Sequence, residues 1–379
     1  MDRLIVKNFG PLKDIDIELN KINLFIGENG SGKSVLAKLI VTILNLIRDT
    51  SIKSKGQLED TKLLEDNLKK YHINFLSSKT YIHYFDCNKQ IYSIMYKNSK
   101  VIIENKVLEK EKEEFNSSPY HKSPHIVTNK ENFLDNISEV LSQNNKLTAQ
   151  YIPAERNLIS IFNKYVTTFI TADIPLPKFL LNFSSQYIRA REEIGELNLL
   201  DVKYKFENDK EHIYYNDKDY LLLEHSSSGI QSALPLHLTV KYFAQKYRGI
   251  IIEEPEQNLF PKAQSETIRY IIEQVSDKNN LFMMTHSPYV LSVLNILIFA
   301  HKVAQMNEDA KKKVEEFVKK EYWINPDNFS AYYLKNGIAK DIKSSRGLIS
   351  DNEIDDISED IAGEFDELME IYREFKDAK

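Results

Sequence analysis

An α/β fold is the architecture this sequence predicts, and three features predict it. The short apolar run Ile22–Ile26 ends in a glycine-rich turn and continues into a helix that is apolar almost all round. Two further apolar runs, Gly249–Ile252 and Asn280–Met284, have the length of buried strands. Each of them is followed by a helical pattern, and strands alternating with helices make a sheet covered by helices.

The elements follow in order. Leu4 and Val6 face away from the side carrying Arg3 and Lys7, and Ile15, Ile17 and Leu19 alternate with Asp14, Asp16 and Glu18, so residues 1–27 read as strands. The next helix begins near Ser34 and carries Val35, Leu36, Leu39, Ile40, Val41, Ile43, Leu44 and Ile47, which predicts cover on most of its sides. Residues 50–146 read as an insertion. It has a lysine-rich start, a β-rich stretch (Tyr81–Phe85, Gln90–Tyr96, Val101–Glu104) and a charged segment around Glu109–Glu131. Tyr151–Ile152 returns to a strand that Pro153 stops, and residues 156–198 read as a helical subdomain. A meander (Val202–Phe206, His212–Tyr215, Tyr220–Glu224) leads to a serine- and glycine-containing turn, a helix and the two apolar strands. The main domain is therefore expected over 1–49 and 147–300, and residues 301–379 as a C-terminal helical region with an acidic tail.

Composition excludes several classes. The single cysteine, Cys87, rules out a disulfide framework and a cysteine-based zinc site, and fits a reducing cytoplasm. The chain opens on a strand pattern rather than a signal peptide, and the apolar runs Val35–Ile47 and Tyr289–Ala300 are too short to span a bilayer. Formal net charge is -6, which argues against electrostatic nucleic-acid binding by the whole protein. Residues 351–379 hold twelve acidic and three basic side chains, a net of -9, so the remainder is about +3 (-6 minus -9). Nucleic acid stays open for one surface: Tyr81, Tyr84, Phe85, Tyr92 and Tyr96, with Lys79, Lys89, Lys97 and Lys100, would suit a single strand. Aromatics are also ordinary strand residues. In the tail, Ile354, Ile357, Ile361, Phe365, Leu368, Tyr372 and Phe375 recur every three or four residues, an amphipathic helix that packs on its own body or docks a partner.

Four motifs carry chemistry. Gly27-Glu28-Asn29-Gly30-Ser31-Gly32-Lys33-Ser34 is a complete phosphate-cradling loop between an apolar strand and an apolar helix. Its backbone would wrap a β-phosphate, Lys33 would reach the β- and γ-phosphates of ATP, and the Ser34 hydroxyl would ligate Mg2+. The strand at Gly249 ends in Glu253 and Glu254: one carboxylate for the metal, Glu253, and one to orient and deprotonate water, Glu254. The strand at Asn280 ends in Thr285-His286-Ser287-Pro288, where His286 can hydrogen-bond a γ-phosphate. Finally, Ser226-Ser227-Ser228-Gly229-Ile230-Gln231 places Ser228, Gly229 and Gln231 at a helix start just ahead of the carboxylate strand.

Together these motifs resemble the ABC-type ATPases, and within them the SMC-like and OLD-like branch. Ser228-Gly229-Ile230-Gln231 looks like the family signature with isoleucine at its second glycine. Glu253–Pro261, Thr285–Pro288 and Tyr151–Arg156 are similar to the OLD-like branch. Glu253 stands where most members have aspartate, and Glu155 or Gln150 where the family has its glutamine. The resemblance implies an ABC-type P-loop head with a mixed sheet flanked by helices. It further implies ATP and Mg2+ as ligands, and a homodimer that sandwiches ATP between the Lys33 loop of one copy and Ser228 and Gly229 of the other. OLD proteins carry a Toprim nuclease, whereas the residues after His286 read as helices and an outward-facing acidic tail. The implied role is the sensor or regulatory ATPase of a bacterial anti-phage or toxin–antitoxin-like system, acting on a separately encoded nuclease or toxin. A DNA-repair or SMC-like ATPase, or an ATP-locked scaffold, are the alternatives; no membrane partner is expected.

Overall fold

The computed structural model describes residues 2–52, 57–86, 89–97, 100–105, 148–162, 176–350 and 367–369. The chain opens with an antiparallel hairpin, β1 (Asp2–Phe9) and β2 (Leu12–Leu19), whose inward residues Leu4, Val6, Ile15 and Ile17 are buried. The strand β3 (Ile22–Gly27) is buried at all six positions and precedes α1 (Lys33–Ile52) and α2 (Gln57–Lys70). Then come β4 (Tyr81–Asp86), β5 (Lys89–Lys97), β6 (Lys100–Asn105) and β7 (Ala149–Ile152), followed by α3 (Asn157–Phe162) and α4 (Lys178–Ile194). A small antiparallel sheet follows, made of β8 (Glu196–Leu199), β9 (Val202–Glu207), β10 (Lys210–Tyr214) and β11 (Tyr220–Leu222). Next in the chain are α5 (Ser228–Lys246), β12 (Gly249–Glu253), α6 (Pro261–Gln274), β13 (Asn280–Thr285), α7 (Pro288–Ala304) and α8 (Glu308–Phe317). A last hairpin is formed by β14 (Phe329–Lys335) and β15 (Ile338–Asp341).

Eleven of these strands pair into one mixed sheet in the order β6-β5-β4-β1-β2-β15-β14-β3-β13-β12-β7. The central block from β14 through β3, β13 and β12 to β7 is parallel, and its strands are buried on both faces because helices cover them. The mixed sheet flanked by helices is the predicted fold class. The strands of the stretch expected as an insertion continue this sheet, since β4 pairs with β1. No helix of the described residues is long and apolar enough to cross a membrane.

Two expectations need correction. Residues 329–341, expected within a helical C-terminal region, are strands, and β14 lies beside β3 in the centre of the sheet. Six of its seven residues are buried, and Asn336 and Gly337 (φ 54° and 78°) make the tight left-handed turn that a two-residue hairpin needs. Residues 196–199, expected at the end of a helical subdomain, form β8: Gly195 at φ 65° stops α4, and Leu197 and Leu199 then alternate inward. The charged segment around Glu109–Glu131 lies outside the described residues, as does the tail from residue 351 except for 367–369, which are helical.

Candidate active site

Four strand or helix ends supply the site. β3 delivers Gly27 between β13 and β14, where a Cβ would stand 2.2 Å from the Leu334 carbonyl oxygen, so the position accepts only glycine. Gly30 and Gly32, at φ 77° and 104°, curl the loop so that α1 starts at Lys33. The Lys33 side chain folds back into that loop. Its Nζ donates to the carbonyls of Gly27 (2.7 Å) and Glu28 (2.9 Å) and to the Ser31 hydroxyl (3.3 Å). Burial lowers the Lys33 ammonium to about 8, against the opposing pull of Glu254, Glu253, Glu256 and Glu28. A cleft of about 280 Å³ opens beside the loop, between Glu28–Ser31 and the β14–β15 turn at Lys335–Gly337.

Glu253 closes β12 and is 5% exposed. Burial raises its carboxyl above the ordinary value, partly offset by Lys38 and by the hydroxyls of Tyr151 and Ser34. Its Oε1 and the Tyr151 hydroxyl are both buried and lack a hydrogen bond of good geometry. An unsatisfied carboxylate oxygen beside a serine hydroxyl, both hard donors, fits Mg2+, which takes few protein ligands and completes its shell with phosphate and water. Ser34 and Glu253 are the residues that would hold it.

Glu254 follows in the left-handed region at φ 44°, with its N–H donating to the Met284 carbonyl (2.8 Å). Its carboxylate lies 3.5 Å from His286 Nε2. The His286 hydrogen bond holds the Glu254 carboxyl below its ordinary value, with Arg156 and Lys33 adding to the effect against burial. The turn carrying His286 is fixed by Glu256, whose Oε1 accepts from the Thr285 hydroxyl (2.7 Å) and the His286 N–H (2.9 Å). The structure thus gathers Lys33, Ser34, Glu253, Glu254 and His286 at neighbouring ends of adjacent strands.

The serine motif presents a different surface. Ser227 caps α5, its hydroxyl accepting from the Ile230 N–H, and Ser227 and Ser228 are exposed. Gly229 packs against the following turn, where a Cβ would meet the Asn258 carbonyl at 3.2 Å. Ile230 points inward and is 7% exposed, so the residue replacing a family glycine does not stand on the exposed face. Gln231, expected at the nucleotide, serves its own loop: its Nε2 donates to the carbonyls of Leu223, Glu224 and Ser226.

Sequence reasoning missed Arg156. The residue is completely buried, and burial lowers its guanidinium to about 10. It donates to the carbonyls of Pro153 (3.2 Å), Glu253 (2.8 Å), Glu254 (2.6 Å) and Ser232 (3.2 Å). Glu155, considered instead, is exposed beside it. Of the aromatics considered for a nucleic-acid strand, Tyr84 is buried with its hydroxyl on Asp2, and Tyr81 stacks on His83 at 3.9 Å. The side chains of Tyr92, Tyr96, Lys89, Lys97 and Lys100 lie outside the described residues.

Compared with protein families, residues 1–168 and 154–291 match the AAA ATPase domain. No curated protein matches the chain. Among solved structures it is similar to an SMC head bound to the C-winged helix domain of ScpA (13% identity, TM-score 0.35, covering 90% of this chain and 96% of that one). It is also similar to the SMC head domain from Thermotoga maritima (11%, 0.36, 90% and 97%) and to an ATP-binding cassette of an ABC transporter in its ADP conformation (13%, 0.36, 90% and 90%). These likenesses are distant, and the family assignment stands on the sequence match.

Proposed function

We propose a function from one premise: the chain belongs to the AAA ATPase domain family and is an ATPase. On this reading the loop from Gly27 to Ser34 wraps the triphosphate, and the Lys33 ammonium leaves the loop carbonyls for the β- and γ-phosphate oxygens. Ser34 and Glu253 would hold Mg2+, which would supply charge neutralisation to the phosphates. Glu254 orients a water and takes its proton as the water attacks the γ-phosphorus and the bond to the ADP oxygen breaks. His286 hydrogen-bonds the γ-phosphate and answers its loss. The observation that carries this is the Glu254–His286 pair, 3.5 Å apart, with the carboxylate held ionised next to Lys33.

Ser228 and Gly229 complete the site of a second copy, so that ATP closes a homodimer and hydrolysis opens it. Support comes from the exposure of Ser227 and Ser228 at a capped helix start and from the inward turn of Ile230. The finer role is that of a cytoplasmic sensor ATPase in a bacterial anti-phage or toxin–antitoxin-like system, driving a separately encoded nuclease or toxin. It rests on the similarity of Glu253–Pro261 and Thr285–Pro288 to the OLD-like branch.

Solution mass and turnover of Glu254→Gln beside wild type test the core of this reading. A mass that doubles with MgATP, in a variant whose turnover falls at least about 100-fold, supports it. A variant that stays monomeric with MgATP removes the shared site, and one that cycles at the wild-type rate removes Glu254 from catalysis.

A further inference from the structure

Arg156 is a fully buried charge whose hydrogen bonds, among the described residues, all go to backbone carbonyls and none to a carboxylate. A buried cation is expensive to keep, and a guanidinium repays it only where its planar fork meets several acceptors at once. Here the acceptors come from three separate segments. Pro153 follows β7, Glu253 closes β12 and Glu254 follows it, and Ser232 lies in the first turns of α5.

Two further facts give those contacts meaning. Glu254 sits at φ 44°, a conformation uncommon for a residue with a side chain, and it is pinned on both sides. Its N–H is held by the Met284 carbonyl, and its own carbonyl accepts from Arg156 Nη2 (2.6 Å) and, within the turn itself, from the Gln257 N–H (3.0 Å), so Arg156 is the contact that ties the turn to other segments. In α5, Pro235 has no N–H, so the Gln231 carbonyl loses its helical donor; the Ser160 hydroxyl takes that place at 2.6 Å. The start of the serine-motif helix is therefore fastened to residues 156–160 at two consecutive carbonyls, Gln231 by Ser160 and Ser232 by Arg156.

We propose that Arg156 is a positioning residue for hydrolysis: it holds Glu254 in the conformation that sets its carboxylate against His286, and it joins that turn to the helix bearing Ser228 and Gly229. The water-orienting group of one nucleotide site and the exposed serine face that serves the other then shift as one body. Occupancy of the first site is felt at the second without a change of fold. Arg156 touches neither water nor phosphate in this scheme. Its removal affects the rate of the chemical step and leaves ground-state nucleotide binding at Lys33 in place. The proposal rests on the assignment of Glu254 given above.

The test uses the full chain and the variants Arg156→Gln, Arg156→Lys and Glu254→Gln, with kcat, KM, binding of MgATP to the Glu254→Gln background and melting temperature. Arg156→Gln is expected to lower kcat by about 100-fold while KM and MgATP affinity move less than about threefold. Arg156→Lys keeps the charge but has one nitrogen for four carbonyls, so it recovers only part of the rate, leaving it about tenfold below wild type. An Arg156→Gln protein that melts like wild type and turns over within threefold of it overturns the proposal. So does a rate loss matched by an equal loss of nucleotide affinity, because that is the result of a merely structural brace. If Arg156→Gln does not fold, Arg156→Lys decides: a wild-type kcat overturns the proposal and a tenfold fall at constant KM upholds it. Glu254→Gln separates the premises, since wild-type turnover there removes the assignment of Glu254 whatever Arg156 does.

Discussion

Lys33 gives the most quantitative prediction. Burial holds its ammonium at about 8 rather than 10.5 in the nucleotide-free loop. A bound triphosphate surrounds the same nitrogen with negative charge and returns it to full protonation. At pH 9 about one tenth of the free protein carries the proton on Lys33, so binding must take up about 0.9 proton per site. At pH 7 about nine tenths already carry it, and uptake falls to about 0.1. The same linkage makes affinity fall about tenfold from pH 7 to pH 9, close to 1.4 kcal/mol. Titration calorimetry with a non-hydrolysable ATP analogue and Mg2+, in two pH 9 buffers of different ionisation enthalpy, reads the proton number as the slope of apparent heat. The triphosphate is fully ionised at that pH and adds no proton of its own. Lys33→Arg keeps a permanent charge and is expected to bind without uptake. A slope of zero for wild type at pH 9, together with a flat affinity from pH 7 to 9, refutes the placement of Lys33 as a desolvated phosphate ligand.

Three other outcomes follow from the site. Burial raises Glu253 above 4.5, so the fold favours its protonated form, and its stability contribution is present below the ordinary carboxylate range and lost as pH rises through the raised value. Glu253→Gln is therefore expected to melt higher than wild type at pH 7 without nucleotide, by roughly 1–3 °C, with the gap closing toward pH 4.5, while the Mg2+ concentration for half-maximal turnover rises; scanning calorimetry and Mg2+ titrations check both. Glu256→Ala removes the acceptor of the Thr285 hydroxyl and the His286 N–H, costs about 2–4 kcal/mol in urea unfolding, and lowers kcat more than it raises KM. Gly337→Ala would set a Cβ 2.1 Å from the Pro11 carbonyl oxygen at φ 78°, whereas Gly30→Ala at φ 77° meets nothing within 4 Å. The first is expected to cost over about 3 kcal/mol and the second about 1 kcal/mol by the same measurement.

What the sequence revealed and what it hid divide along a physical line. Glu253, Glu254 and His286 were legible because each stands where an apolar strand stops, Lys33 because a glycine-rich loop joins such a strand to its helix, and buried parallel strands place their ends side by side. β14 was hidden because its partner β3 is about three hundred residues away and its both-sided burial leaves no alternation to read. A local signal was nonetheless present, Asn336-Gly337 between the apolar Phe329–Leu334 and Ile338. Arg156 was hidden for another reason. A charged residue after a proline reads as solvated, and its role comes from carbonyls of Ser232, Glu253 and Glu254, which have no side-chain signature. Gln231 was misplaced because the motif marks a position in the chain, while the three nearby carbonyls decide where the amide turns.

Lys33 and Glu253 also argue for the site jointly. Opposite charges brought together as a structural ion pair hold each other charged: the cation rises and the carboxylate falls. Here both move the other way, the ammonium down and the carboxyl up, because burial outweighs the attraction each feels, Lys33 from Glu254 and Glu253, and Glu253 from Lys38. Two groups pushed toward neutrality from opposite sides are poorly stabilised by the fold alone. One ligand would restore both: a triphosphate would return the charge to Lys33, and its magnesium ion would hold Glu253 ionised. Glu254, next to Glu253 in sequence, is already held ionised by His286, as a group that must accept a proton from water needs to be. A surface built only for stability has no reason to divide three neighbouring charges in this way, and the division matches the separate demands of phosphate, metal and water in ATP hydrolysis.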